Sequence, residues 1–528
     1  MSNDKYSLYD PNDVVQAVVC DIGSYATKIG FAGDDFPKSY FRSVSNLLLY
    51  LLNYFSWNIV VNDNKAHLMN HALFQNVAIL RDPVNKKNIQ QLKYDYFTRP
   101  IEYPKDSDGN WETANPIDPH TGLLATDDLY ELFQQFLQHA FKTTLLTAPS
   151  EQPFLFCERS YNPPPMRQQL LEILMEDIQV PAAFLARDAT LACYACGRTT
   201  GTVVDVGYHG TTVTPVYEGY VELKGIRLSP IGTKEMDTML MGQLDRIHTT
   251  PFLPLYQLRN HAIRRDDIHF LTRLAVAQEC REEGAGTAIP SPVDATFQAP
   301  HATFQLPDGT VLDLPAKVRF SISDLLLGQD EVSVQVRQSK MIQRKQALAA
   351  GLAALTDDDD TEHEKGRYSE ASAVGLTHRK LHPTAVRTRP PFSNRHLQRA
   401  CAPYLSNVPL EGLSDANLPS MICEAAFSCD RDQQASLLGN VVLAGGGACV
   451  GPTDQALPEF LREKMEEIIH KHTPGWRVKV LSPNYPERKV CSWMGGSILG
   501  SLGSFHDMYI TKKEYEEWGS AIVNRKCP

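Results

Sequence analysis

Two stretches far apart in the chain repeat one pattern, and that repetition constrains the fold more than any other feature. The first runs Val18-Val19-Cys20-Asp21-Ile22-Gly23-Ser24 and returns through Thr27-Lys28-Ile29-Gly30-Phe31-Ala32-Gly33. A short apolar run reads as a buried strand, Asp-x-Gly-Ser as a tight turn, and the alternating residues as the returning strand of a hairpin. The second runs Val203-Val204-Asp205-Val206-Gly207, turns through Tyr208, His209 and Gly210, and returns along residues 211–219. A third element, Val441-Val442-Leu443-Ala444-Gly445-Gly446-Gly447, reads as a buried strand entering a glycine turn, with a helix expected to start near Pro452.

Such turns suit a phosphate. Glycine at 23 lets the backbone approach an anion, successive N–H groups and the Ser24 hydroxyl donate to it, and Lys28 adds a point charge. Asp21 would repel a bare phosphate, so its expected use is to orient waters around Mg²⁺. With the second hairpin facing the first, Asp205 and Gly207 repeat these roles, and the metal would lie between the two carboxylates. Backbone at Gly445 and Gly446 could lie flat against a base or sugar.

Composition bounds the rest. At 528 residues, 43% hydrophobic and 21% charged, the chain can bury at least two sizeable cores. Its formal net charge of −11 argues against nucleic-acid binding as its main electrostatic business, and no direct sequence-specific nucleic-acid contact is expected. Eleven scattered cysteines, an odd number, point to reduced thiols in the cytosol or nucleus. Cys193 and Cys196 have redox or zinc spacing but no second pair, so helix packing is the better reading. Residues 44–61 are the most apolar run; their length would allow a membrane span, but three asparagines and a position inside a globular pattern favour a buried strand or an artefact of the gene model. Residues 62–98 match no pattern, and a polar stretch ahead of Gly122 reads as a surface loop.

Further motifs follow in order: Tyr194-Ala195-Cys196-Gly197-Arg198-Thr199-Thr200-Gly201, then Leu306-Pro307-Asp308-Gly309-Thr310-Val311. Near the end come Arg488-Lys489-Val490-Cys491-Ser492-Trp493-Met494-Gly495-Gly496-Ser497-Ile498-Leu499, Lys513-Glu514-Tyr515-Glu516-Glu517 and Asn524-Arg525-Lys526-Cys527-Pro528. With the three strands, these motifs resemble the actin family over most of 14–43, 99–240, 270–327 and 410–528. The resemblance implies an α/β, actin-like ATPase fold of two ribonuclease-H-like halves with a nucleotide cleft between them. Residues 1–200 would form the outer lobe, completed by 485–528, and residues 201–484 the inner lobe.

It also implies ATP and Mg²⁺ as ligands, held by Asp21, Gly23, Ser24, Lys28, Asp205, Gly207, Gly445, Gly446 and Lys489. Glu282 would accept from ribose hydroxyls and Arg281 would cover the base. Hydrolysis is expected to be weak or absent. Asp188 stands where actins place the glutamine that positions the attacking water, Thr212 replaces a histidine, and Tyr208 replaces a metal-orienting aspartate. Val450 replaces the aromatic that usually covers the base. Tyr194, Leu499, Leu502, Ser504 and Met508 match positions lining the hydrophobic cleft that accepts amphipathic helices.

Residues 328–400 read as a low-complexity, disordered insertion: a Gln/Ala-rich stretch, then Asp357–Asp360, then a basic, proline-bearing tract. Its position resembles that of the nuclear branch of the actin-related proteins. That branch implies a non-motor subunit of chromatin-remodelling or histone-acetyltransferase complexes. It would bind a scaffold helix of a Snf2-type remodeller or acetyltransferase assembly, with monomeric actin and histones as further partners. Two other functions fit the same fold: a cytoskeletal filament or dynactin-type subunit, and an active ATPase or phosphotransferase.

Overall fold

The computed structural model describes residues 16–38, 140–254, 266–289, 301–354, 394–450, 455–471 and 473–528, with short pieces between, among them 74–75, 78–81, 93–96, 111–114 and 117–124. The apolar run 44–61, the polar loop before 111 and the charged tract 357–393 lie outside the described residues.

The two repeated stretches become the hearts of two sheets. β1 (Val18–Ile22) turns into β2 (Ala26–Phe31), and β3 (Phe154–Glu158) and β4 (Ala182–Arg187) follow it in the first sheet. β1 is antiparallel to β2 and parallel to β3, which is parallel to β4. In the second sheet β5 (Gly201–Val206) turns into β6 (Thr211–Tyr217), with β7 (Val441–Ala444) and β8 (Val480–Leu481) alongside. β5 is likewise antiparallel to β6 and parallel to β7, which is parallel to β8. Each sheet centre is therefore covered on both faces, which is why β1, β5 and β7 are near-continuous apolar runs. β9 (Ile510–Thr511) pairs antiparallel with β4, so the C-terminal segment joins the first sheet. Residues 78–81, 93–96 and 111–114 pair into a separate three-stranded antiparallel sheet: the first two fall where the sequence offers no recognisable pattern, and the third is a strand within the stretch read as a surface loop.

Six helices matter for the cleft: α1 (Asp188–Ala195), α2 (Thr233–His248), α3 (Asp266–Glu282), α4 (Glu331–Ala354), α5 (Tyr485–Lys489) and α6 (Cys491–Ser501). The chain crosses between the sheets in α1, and α6 packs on it so closely that a Cβ on Gly495 would lie 1.8 Å from the Leu191 carbonyl oxygen. The indole N–H of Trp493, fully buried, donates to the Val19 carbonyl at 3.0 Å and ties α6 to β1. One apolar core surrounds the first sheet and another the second. None of the eleven cysteines forms a disulfide; ten are buried and Cys196 is half-buried.

Residues 331–354 correct the expectation of a disordered insertion from 328. They form a 24-residue helix whose first turn is capped by Asp330, which accepts from the Ser333 N–H at 3.0 Å. Alanine, glutamine, lysine and arginine are strong helix formers, and low hydrophobicity conceals that preference. Two arginines anchor the helix instead of an apolar stripe. Arg337 donates to the carbonyls of Asp415 (2.9 Å), Gly328 (2.8 Å) and Leu325 (3.2 Å). Arg344 donates to those of His120 (2.7 Å) and His209 (3.3 Å), and Leu348 packs with Leu123, Tyr161 and Leu413. The helix expected near Pro452 starts at Ala456, after a 3-10 turn at Gly446–Ala448.

Candidate functional site: a polar cleft between the two sheets

The turns of both hairpins and the glycine turn after β7 open on one cleft of about 840 Å³, mouth included. Asp21, Gly23, Ser24, Lys28, Asp205, Gly207, Gly445, Gly446, Arg281, Glu282 and Lys489 all line it, so the eleven predicted site residues come together. Glycine at 445 is required. Its φ is +87°, and a Cβ there would stand 2.3 Å from the Asp205 carboxylate.

The charges are arranged in pairs. Asp21 and Lys28 face each other across the β1–β2 ladder, and the Lys28 ammonium donates to Asp21 at 2.7 Å. Lys489 donates to Glu282 Oε2 at 2.9 Å while Gln278 donates to Oε1 at 2.7 Å. The central pairing was not foreseen from the sequence. Arg159, one residue beyond β3, places Nη1 2.8 Å from Asp205 and 3.1 Å from Asp188. It lies at the carboxyl end of a sheet strand, where open α/β sheets place ligand-binding groups, and that position was the available signal. Burial opposes the charge of Arg159, but the Asp205 and Asp188 carboxylates outweigh it and raise its pKa further.

Asp188 begins α1 and is held from several sides. Its Oδ1 accepts from the Ser160 N–H (3.0 Å), the Ser160 hydroxyl (2.5 Å) and the Ala189 N–H (2.8 Å). Burial pushes its carboxyl above the usual range, against the opposing pull of Arg159 and Ser160. Tyr208 stacks obliquely on Tyr25 across the cleft, ring centres 5.4 Å apart, and burial raises its phenol. Thr212 lies behind the cleft, beside Arg344 and His209 in a smaller cavity.

Arg281 departs from its expected role over a base. Its Nε and Nη2 donate to Asp237 on α2 at 2.6 and 3.2 Å, and the side chain is 2% exposed. The pair is locked because burial of Asp237 leaves its carboxyl no solvent to turn to. Nη1 of Arg281, a residue that lines the cleft, is buried without a hydrogen-bond partner among the described residues. Val450 is buried in the second core and does not wall the cleft.

The cleft therefore fits a polyphosphate better than the metal expected with it. Asp21 and Asp205, read as water-orienting groups for Mg²⁺, are both taken up by Lys28 and Arg159. Among the described residues no group of three or more His, Cys, Asp or Glu side chains could hold a metal ion. A dication between Asp21 and Asp205 would have to displace a guanidinium that already bridges two carboxylates, so these residues do not fit it as folded.

The predicted partner residues lie on α1, α6 and the turn after α6. Tyr194 and Leu499 pack half-buried on the first core, whereas Leu502 and Met508 are 48% and 42% exposed and Ser504 is exposed. Ile498, 44% exposed, extends this apolar edge and was not foreseen. Cys193 is buried on α1, which pushes its thiol up to about 12, as expected of a packing residue.

Two sheets of repeated topology closing on one polar cleft define the actin-like fold. The actin family model matches residues 12–528, and the chain belongs to the actin family. Within it, the chain is similar along its whole length to proteins named actin-related protein 4. That of rice (Oryza sativa subsp. indica) is 27% identical, the match covering 98% of this chain and 99% of the relative. Those of Arabidopsis thaliana and Saccharomyces cerevisiae are 27% and 25% identical, covering 98% of this chain and 99% and 98% of the relatives. The actin family binds nucleotide with a divalent metal. No helix among the described residues is long and apolar enough to cross a membrane.

Proposed function

We propose that this chain is a non-motor nuclear subunit of a chromatin-remodelling or histone-acetyltransferase complex. It binds ATP as a structural ligand between its two sheets and docks a scaffold helix on the edge formed by Ile498, Leu502 and Met508. One observation carries the choice of binding over turnover: Arg159 pairs with both Asp188 and Asp205, the carboxylates best placed to act on a water. A carboxylate tied to a guanidinium and three further donors is a poor general base. A ligand held this way stabilises the folded state by mass action. The similarity to proteins named actin-related protein 4 supports the nuclear assignment, and the exposed apolar edge suits helix-in-groove docking.

The test is to recover the tagged chain from separated nuclear and cytoplasmic extracts and identify what co-purifies. The expected result is nuclear recovery with a Snf2-type ATPase or acetyltransferase scaffold, with monomeric actin and histones as accompanying proteins. Recovery from cytoplasm with actin-binding or motor-adaptor proteins would overturn it. In a single-turnover assay, ATP bound to the purified chain should remain intact over many minutes.

A further inference from the structure

Resting on the reading of ATP as ligand, we propose that Arg159 stands in for the divalent cation, so that this chain binds nucleoside polyphosphates without metal. The hydrogen bonds of Arg159 to both carboxylates run through Nη1 alone. Nε and Nη2 make no hydrogen bond among the described residues, and the side chain is 22% exposed at the cleft wall. A guanidinium offers five donors in a planar fork that matches phosphate oxygens two at a time. Held on one edge by Asp188 and Asp205, it presents its other edge to a ligand.

The surroundings agree with this use. Every carboxylate lining the cleft already has a cationic partner: Asp21 has Lys28, Asp188 and Asp205 share Arg159, and Glu282 has Lys489. A phosphate chain entering between Gly23, Ser24 and Lys28 on one side and Gly445 on the other meets donors without first needing a metal to neutralise acids. A metal ion would instead face Arg159 at close range, where like charges in a partly buried site repel strongly. In this arrangement Asp188 and Asp205 aim an arginine rather than hold a metal's water shell.

The experiment is isothermal titration of the full chain with ATP in MgCl₂ and again in EDTA, with Mn²⁺ paramagnetic resonance as a second readout. The expected result is a Kd that differs by less than about threefold between the two buffers, and no Mn²⁺ immobilised when ATP is added. Arg159→Gln should weaken binding more than about tenfold in EDTA and regain part of it with Mg²⁺, because two carboxylates are released for a metal. Wild-type affinity that collapses by more than about tenfold in EDTA overturns the proposal and leaves ATP as a metal-dependent ligand. Absence of binding in both buffers overturns the nucleotide reading itself, and the proposal with it. Should Arg159→Gln fail to fold, the comparison of buffers on the wild-type chain decides alone.

Discussion

His209 shows how far one side chain's environment can depart from its sequence context. It follows Tyr208 in the second hairpin turn, and its Nε2 is buried with no hydrogen-bond partner. Burial, reinforced by Lys234 and Arg344, lowers its pKa to about 4. The unfolded chain takes up this proton near pH 6.5 and the folded chain only near pH 4, so stability falls as pH drops through that window. Between pH 7 and 5 His209 should contribute a loss of about 1–2 kcal/mol. Urea midpoints at both pH values would check it: His209→Gln should lose less than the wild type does. Glycines and acids in the turns were legible because few residue types suit a phosphate turn. Arg159 was not, since a lone arginine between Glu158 and Ser160 looks like any surface charge until the sheet places it opposite Asp205.

At the scale of elements, strands and close-packed helices were the readable part. β1, β5 and β7 were all expected because apolar runs bounded by glycine turns leave few alternatives. α4 was misread because its anchoring is polar. Arg337 and Arg344 replace the apolar stripe that periodicity detects. The glycines of α6 carry a sharper consequence. Gly495→Ala would force a methyl group into the Leu191 carbonyl, which is backbone and cannot swing aside. A loss of about 3 kcal/mol or more is expected, seen as a lowered thermal midpoint. Gly503→Ala, with open space around its Cβ, should leave that midpoint nearly unchanged.

Across the whole molecule, the cleft is closed by charges drawn from distant parts of the chain. Arg159, just beyond β3 of the first sheet, meets Asp205 on β5 of the second, 46 positions on, and Glu282 of α3 meets Lys489 of α5, 207 positions away. Neither pair falls within one motif of the sequence, so a repeat could predict a cleft but not what bridges it. ATP at about a hundred times its Kd should add about 2.7 kcal/mol to stability, measured as a raised thermal midpoint that the Ile498 and Leu502 edge does not influence. The ten buried cysteines carry a last consequence. Seven of them lie in the two large cores and Cys193 and Cys491 in a smaller cluster against the second sheet, so the intact protein should offer an alkylating reagent little more than Cys196, while any molecule that opens exposes many sulfurs at once. The thiols thus form a built-in clock: the rate at which mass accumulates under mild labelling reports how often the cores open.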